Sequence, residues 1–170
     1  MILTGKEIER QIKQERINIT PFDPKNLQPN SYDLHLDCMS YKELNRIDID
    51  TNQPIYLHNN QKEKLESKIF LYPSQLYLFS TIETTHTDHY APMLEGISSN
   101  ARMGISIHET AGFGDIGFNG KWTLEISVKV PTPVYHGMRI AQIYFHEVVG
   151  NIELYKGKYQ GADKAEGSKV

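Results

Sequence analysis

Apolar and polar residues alternate along much of this chain, and the alternation predicts strands far more often than helices. Tyr32, Leu34 and Leu36 alternate with polar residues, which is typical of a half-buried strand. Further strand-like runs cover residues 69–71, 76–82, 123–130 and 138–145. Because these short runs are separated by Gly and Pro signals, the pattern indicates an all-β barrel or sandwich.

Only residues 4–16 carry a clear helical pattern. Thr4 and Glu7 match a capping box, and Ile8 and Ile12 lie four positions apart on one face. We therefore expect one N-terminal helix that packs on the barrel. Residues 19–30 contain three prolines and predict an extended connection. Residues 43–68 are weakly patterned, and we expect a short strand or two and a surface loop there.

The run 123–130 predicts a strand with one buried face and one polar face. Its apolar positions alternate strictly with polar ones, and they are Leu124, Ile126, Val128 and Val130. Thr123 and Glu125 therefore fall on the opposite face, beside a glycine-rich turn and away from the packing layer.

Composition and charge narrow the class of protein. The chain has 170 residues, enough for one domain, with 39% hydrophobic and 23% charged residues. Its net charge of −3 argues against a nucleic-acid partner. The single Cys38 excludes an internal disulfide framework and a Cys-based zinc site. We expect no membrane segment, since no apolar run approaches roughly 18 residues, and no secretory signal, which makes a cytoplasmic location the default.

The candidate chemistry lies between residues 95 and 126. Residues 98–102, SSNAR, offer hydroxyls, backbone N–H groups and a guanidinium, which suit phosphate oxygens. Residues 111–115, AGFGD, predict a tight turn, because paired glycines permit a left-handed backbone and close approach of a ligand. Polar groups of this mixture are not needed merely to fill a core.

The order of motifs in this region resembles the dCTP deaminase family, a branch of the trimeric dUTPase-like superfamily. The matching motifs are EG-x-SS-x-A-R, H-x-TAGFGD-x-GF-x-G and W-TLE, with SYD at 31–33, GMRIAQ at 137–142 and KYQ at 158–160. The resemblance covers nearly the whole chain and is weakest between about residues 38 and 69. It implies a mainly β, dUTPase-like distorted barrel (jelly-roll-like) with an N-terminal helix, assembled as a homotrimer with sites between subunits.

The resemblance also implies one domain over residues 1–170, with a flexible tail from about residue 157. In the family such a tail closes over the bound nucleotide, often on a neighbouring subunit. The substrate would be a dCTP-type or dUTP-type nucleotide, with dTTP as a possible inhibitor. Mg²⁺ would arrive on the phosphates, without protein ligands of its own.

The resemblance assigns roles to particular residues. Deamination requires water to attack C4 of cytosine while N3 and the leaving ammonia receive protons, and one carboxylate can carry all three transfers. Glu125 corresponds to the family's general base and acid, Arg102 pairs with it, and Ser98 holds water and substrate. The implied substrate-binding residues are Ser98, Ser99, Asn100, Ala101, Arg102, Ala111, Asp115, Thr123, Leu124, Glu125, Tyr155, Lys158 and Gln160.

Asp115 carries two implied roles. It would bind the 3′-hydroxyl of the deoxyribose, whereas the corresponding aspartate of plain dUTPases orients the attacking water.

Zinc is not expected, because the H-x-E and P-C-x-x-C signature of the zinc deaminases is missing from this sequence. His86, Asp88 and His89 could suggest metal ligands, but their spacing matches no closed site, and we expect a loop there.

Each candidate also has a structural interpretation when it is taken alone. Glu125 would then be a solvated or salt-bridged strand residue, Arg102 a surface charge and Asp115 a turn residue that caps its own backbone. For His108 we favour a packed or hydrogen-bonded structural histidine over a base. Trp122 is expected in the core or at an interface. Asp33 could be a site residue, but the pattern supports a role at a sheet edge or in an ion pair at least as well.

Two positions depart from the family pattern at the phosphate end. Ile97 stands where the family usually has Arg, and Ala162 where it usually has Gln. Triphosphate binding could be looser, with Lys158 or Lys164 compensating. The substrate could instead carry fewer phosphates, or the protein could bind the nucleotide without converting it to product.

The main functional expectation is zinc-independent deamination of dCTP to dUTP and ammonia. One alternative is a bifunctional deaminase and dUTPase that gives dUMP and pyrophosphate, because Asp115 and the glycine-rich turn are present. Another is a non-catalytic regulator that binds the nucleotide.

Overall fold

The computed structural model describes residues 1–48, 51, 53–60 and 68–169. Two α-helices and ten strands lie in these ranges. In chain order they are α1 (Gly5–Lys13), β1 (Asn18–Thr20), β2 (Tyr32–Asp48), β3 (Gln53–Asn60), β4 (Ile69–Leu71), β5 (Tyr77–His86), β6 (Tyr90–Gly96), α2 (Ser98–Arg102), β7 (Ile105–Ser106), β8 (Asn119–Val128), β9 (Thr132–Val134) and β10 (Arg139–Glu147). A 3₁₀ turn at Pro24–Asn26 lies between β1 and β2.

Most strands belong to one antiparallel sheet that curls into a half-barrel. Its order is β6-β10-β2-β5-β8-β7, with β1 added to β5 and β3 added to β2, while β4 and β9 form a separate pair. Irregular register interrupts β2, β5 and β10, and such bulges increase the local twist of a sheet. The predicted mainly β class is confirmed. The homotrimer stays a prediction.

The predicted packing face of β8 is confirmed over most of its length. Leu124, Ile126 and Val128 are buried in the core, which follows from their period of two. Val130 is 55% exposed, so its predicted burial is wrong. The reason is that β8 ends at Val128 and the chain turns away before Pro131.

The predicted N-terminal helix is confirmed, but it ends earlier than residue 16. Thr4 Oγ1 accepts a hydrogen bond from the Glu7 N–H at 3.3 Å, as the capping pattern predicts. Ile8 is fully buried, and Ile12 packs against the core. The helix stops at Lys13 because Glu15 adopts a left-handed backbone with φ of 58°.

The weakly patterned region forms longer strands than the sequence predicts. β2 continues to Asp48 and pairs with β3 in an antiparallel hairpin. Many of the described side chains of this hairpin are partly exposed, so its residues do not show the alternation that marks a core strand. Residues 61–67 of the predicted surface loop lie outside the described residues.

Candidate active site

A cavity of about 390 Å³ lies where β8, the 111–118 turn region, the β2–β3 hairpin and the C-terminal segment meet. Four predicted site residues line it: Asp115, Thr123, Glu125 and Tyr155. The remaining wall includes five aromatic side chains, those of Tyr56, Phe113, Phe118, Trp122 and Tyr159. An apolar cleft with a few converging polar groups is the usual form of a small-molecule site.

Glu125 is fixed at the cavity wall by its strand and by one hydrogen bond. Its neighbours Leu124 and Ile126 are buried in the core, so its side chain points to the other face of β8. The backbone N–H of Glu109 donates to Glu125 Oε2 at 3.0 Å. Oε1 receives no hydrogen bond from the described residues, which leaves this oxygen available to a ligand.

The glycine turn approaches its own chain closely. Gly112 O accepts from the Leu94 N–H at 2.7 Å, and the Gly114 N–H donates to Pro92 O at 2.9 Å, so the turn lies against β6. A Cβ on Gly114 would clash with Trp122 Cη2 and lie 2.9 Å from Pro92 O. Neither Gly112 nor Gly114 has positive φ, so this pair does not use the left-handed backbone that glycine permits. Glycine is required here because neighbouring atoms leave no room for a Cβ, and not because φ is positive.

Gly114→Ala is expected to lower stability by about 2 kcal/mol, since the added methyl overpacks the contact with Trp122. The melting temperature should fall by several degrees, about 2–4 °C for each kcal/mol in a chain of this size. Differential scanning calorimetry measures this change. Gly96→Ala is the matched control, because a Cβ there meets only Ile107 Cγ1 at 3.8 Å. Equal melting temperatures for the two variants would contradict the packing argument.

Trp122 both packs against the core and lines the cavity. Its Nε1–H donates to Thr85 Oγ1 at 2.7 Å, and its ring centroid lies 5.0 Å from that of Phe118. Phe118 in turn meets Tyr155 edge-on at 6.0 Å. The sequence indicated a core or interface role for Trp122 and missed its place in the cavity wall.

Within one chain, α2 lies apart from the cavity. Ser98, Ser99, Ala101 and Arg102 are exposed, and none of them lines it. Asn100 is buried, and its Nδ2 donates to Arg139 O at 2.9 Å. In the part of the chain that the structure describes, no ion pair joins Arg102 to a carboxylate. A single chain therefore does not bring the expected pair Arg102 and Glu125 together.

The other predicted binding residues lie next to the cavity or away from it. Ala111 is exposed outside it, and the Leu124 side chain faces the core. Gln160 bonds the backbone of the turn: its Nε2 donates to Gly117 O at 2.8 Å and its Oε1 accepts from the Asn119 N–H at 2.9 Å. Lys158 Nζ donates to the Lys169 carbonyl.

The C-terminal segment, residues 157–169, lies over β8 of its own chain. The Gly161 N–H donates to Asn119 O and the Lys121 N–H to Ala162 O, each at 2.8 Å. Further along, the Glu166 N–H donates to Thr123 Oγ1 at 3.0 Å. These contacts bring tail residues into the cavity wall. The predicted flexibility of this tail and its closure over a nucleotide stay predictions.

Several cavity residues were missed at the sequence level. Tyr56 and Glu166 come from a hairpin and a tail that are distant in sequence, and no local pattern marks them. Tyr159 lies within the KYQ motif but was not predicted to be a site residue. Lys121 was detectable, because it lies on the same face of β8 as Thr123 and Glu125.

Outside the cavity, two candidate residues have structural contacts. Asp33 is buried and accepts from Arg139 Nη1 at 3.0 Å and Gln28 Nε2 at 2.9 Å, which supports the ion-pair interpretation. His108 Nε2 lies 3.8 Å from Glu95 Oε2, and the ring packs beside Gly112, away from the cavity lining. This position fits a packed structural histidine.

His86 and Cys38 are the other groups that could carry chemistry, and both have structural surroundings. His86 Nδ1 lies 3.2 Å from Phe118 O, and its Nε2 lies 3.4 Å from Asp88 Oδ1. The described residues contain no group of three or more His, Cys, Asp or Glu that could hold a metal ion. Burial raises the pKa of the Cys38 thiol to about 12, so it is a poor nucleophile.

No helix among the described residues is long and apolar enough to cross a bilayer.

Comparison with known proteins defines the family. The chain is 48% identical over 163 residues to a protein of Leptospira biflexa named dCTP deaminase, dUMP-forming, covering 94% of this chain and 90% of that protein. It is 47% identical over 166 residues to a Clostridium acetobutylicum protein of the same name, covering 94% and 91%.

A solved structure and a family model agree with these relatives. The 2′-deoxycytidine 5′-triphosphate deaminase of Agrobacterium tumefaciens superposes with a TM-score of 0.66 at 21% identity, covering 86% of this chain and 48% of that longer chain, which shows a shared fold. The dCTP deaminase-like family model matches residues 2–148. The chain therefore belongs to the dCTP deaminase-like family.

Proposed function

We propose that this protein converts dCTP to dUMP, ammonia and pyrophosphate. The observation that carries the proposal is that Glu125 and Asp115 line one cavity, so a deaminating carboxylate and a second carboxylate near the sugar can act on one nucleotide. The similar proteins of Leptospira and Clostridium are both named dUMP-forming. This name favours the bifunctional alternative over the dUTP-forming main expectation.

Glu125 is the proposed proton carrier in the deamination step. Water adds to C4 of cytosine as Glu125 takes one of its protons and passes it to N3. Glu125 then takes the second proton from the C4 hydroxyl and passes it to the amino group, so the C4–N bond breaks, ammonia leaves and the C4 carbonyl forms. The net change is dCTP plus water to dUTP plus ammonia. The hydrogen bond from the Glu109 N–H holds the carboxylate in place during these transfers.

Asp115 is the proposed second carboxylate. It binds the 3′-hydroxyl of the deoxyribose and orients a water toward the α-phosphorus. Attack by this water breaks the bond to the bridging oxygen and releases pyrophosphate, so that dUTP plus water gives dUMP plus pyrophosphate. Magnesium enters with the triphosphate as part of the substrate and neutralises phosphate charge.

The remaining donors are proposed to come from a second copy of the chain. Because Ser98, Ser99 and Arg102 are exposed and lie outside their own chain's cavity, they are free to enter a neighbour's cavity in a homotrimer. Arg102 would pair with the neighbour's Glu125, and the two serines would bind substrate. dTTP, with the same sugar and phosphates, is a proposed inhibitor at this site.

Product analysis tests the proposal. Incubation with dCTP and Mg²⁺, followed by ion-exchange chromatography, is expected to give dUMP and pyrophosphate, with ammonia in equal amount. A dUTP peak alone would restore the dUTP-forming interpretation. If a parallel incubation with dCMP gives product and the one with dCTP does not, the substrate carries fewer phosphates. Tight binding of dCTP without product would identify a nucleotide-binding regulator.

A further inference from the structure

The few charged groups of the cavity lining are mainly carboxylates, although the site is proposed to hold an anionic nucleotide. Its carboxylates come from Asp115, Glu125 and Glu166, and the only ammonium or guanidinium group among its described lining residues is that of Lys121. A phosphate chain placed beside these carboxylates meets repulsion unless a cation lies within a few ångströms. Lys121 is therefore the residue of this chain best placed to receive it.

A carboxylate holds Lys121 in position. Lys121 Nζ lies 2.9 Å from Asp37 Oδ2, and the two side chains are only 23% and 16% exposed. The Met39 N–H donates to Asp37 Oδ1 at 3.0 Å, which fixes the carboxylate from its other side. An ammonium group has three donors, so bonding to Asp37 leaves two for a ligand in the cavity.

The order of groups along β8 matches the order of parts in a nucleotide. Glu125, Thr123 and Lys121 project from the same face and all line the cavity. Four residues of strand separate the first from the last by about 13 Å. If the base lies at the Glu125 carboxylate, the sugar falls near Thr123 and the phosphates fall near Lys121.

We propose that Lys121, positioned by Asp37, binds the phosphates of the nucleotide and makes the site select phosphorylated substrates over free nucleosides. This inference rests on the proposed function for the nature of the ligand. Lys158 and Lys164, the cations that the sequence suggested as compensation, do not line the cavity. Lys158 is bonded to the Lys169 carbonyl, and Lys164 is exposed.

Binding measured without turnover tests the role of Lys121. Isothermal titration of full-length Glu125→Gln protein with dCTP, deoxycytidine and inorganic tripolyphosphate, each with Mg²⁺, gives the reference affinities. Adding Lys121→Gln is expected to lower the affinity for dCTP and for tripolyphosphate about tenfold or more, because a charged hydrogen bond is lost. Deoxycytidine affinity should stay unchanged. Lys6→Gln, an exposed lysine of α1, is the matched control and should change none of the three.

Two further variants separate charge from packing. Lys121→Arg keeps the cation and should retain dCTP affinity within a few-fold. Asp37→Asn removes the charged partner that positions Lys121. It should lower the affinity for dCTP by a smaller factor than Lys121→Gln does. Equal losses for dCTP and deoxycytidine, or no loss for either, would overturn the inference and leave a structural ion pair.

The outcomes also separate this inference from the proposed function. If wild-type protein forms dUMP but Lys121→Gln binds dCTP with unchanged affinity, the phosphate-binding role of Lys121 is wrong and the proposed function stands. Wild-type protein that forms no product but binds dCTP and tripolyphosphate through Lys121 would sink the proposed reaction alone.

Discussion

Glu125→Gln is expected to abolish ammonia release from dCTP, with kcat reduced about 10³-fold or more. The amide has nearly the same shape, and its oxygen can still accept the hydrogen bond from the Glu109 N–H. It takes up no proton near neutral pH, so the transfers from water and to the leaving ammonia lose their carrier. A coupled ammonia assay measures the rate, and thermal melting checks that the fold is unchanged.

The neighbouring carboxylate provides the control for this variant. Glu109 is exposed and contributes its backbone N–H, so Glu109→Gln should release ammonia at close to the wild-type rate. Supplied dUTP provides a second control, because its hydrolysis to dUMP does not require a carboxylate near C4. Glu125→Gln should therefore still hydrolyse dUTP. Near wild-type ammonia release by Glu125→Gln would show that the proton carrier has been misidentified.

Features of the fold that depend on neighbouring residues were predictable. The period-two pattern of residues 123–130 placed Leu124 in the core and Glu125 on the open face, and both positions follow from the geometry of one strand. The capping pattern at Thr4 located the start of α1 for the same reason. The predicted burial of Val130 is wrong because the alternation in the sequence continues past the point where the chain leaves the sheet.

The walls of the cavity depend on contacts between distant segments, and local patterns do not report these. Tyr56 lines it only because the β2–β3 hairpin reaches the tail, where its hydroxyl accepts from the Ser168 N–H at 3.1 Å. Gly114 was recognised as special, but its reason, contact with Trp122 and Pro92, appears only after β6 and β8 are placed. Resemblance supplied the partnership of Arg102 and Glu125, which one chain by itself does not form.

Mixing two inactive variants is expected to restore deamination, because each proposed site takes Glu125 from one subunit and Arg102 from the next. Arg102→Ala alone should keep its fold and lose activity, since Arg102 is exposed and lies outside its own chain's cavity. Glu125→Gln alone is also inactive. Every cyclic trimer that contains both variants has three such sites, and about one in three of them receives both native residues.

The experiment uses two differently tagged variants, co-expressed and purified through both tags, with the mass of the assembly measured by analytical ultracentrifugation. Ammonia release from dCTP at a substantial fraction of the wild-type rate is the expected result. Glu125→Gln mixed with the double variant Glu125→Gln/Arg102→Ala is the control, and it should stay inactive because no subunit supplies Glu125. If the first mixture is a trimer and is also inactive, Glu125 and Arg102 act from the same chain, and the exposed α2 must then move to its own cavity. If Arg102→Ala alone is active, Arg102 is not required for the reaction, and the proposed pairing with Glu125 is wrong.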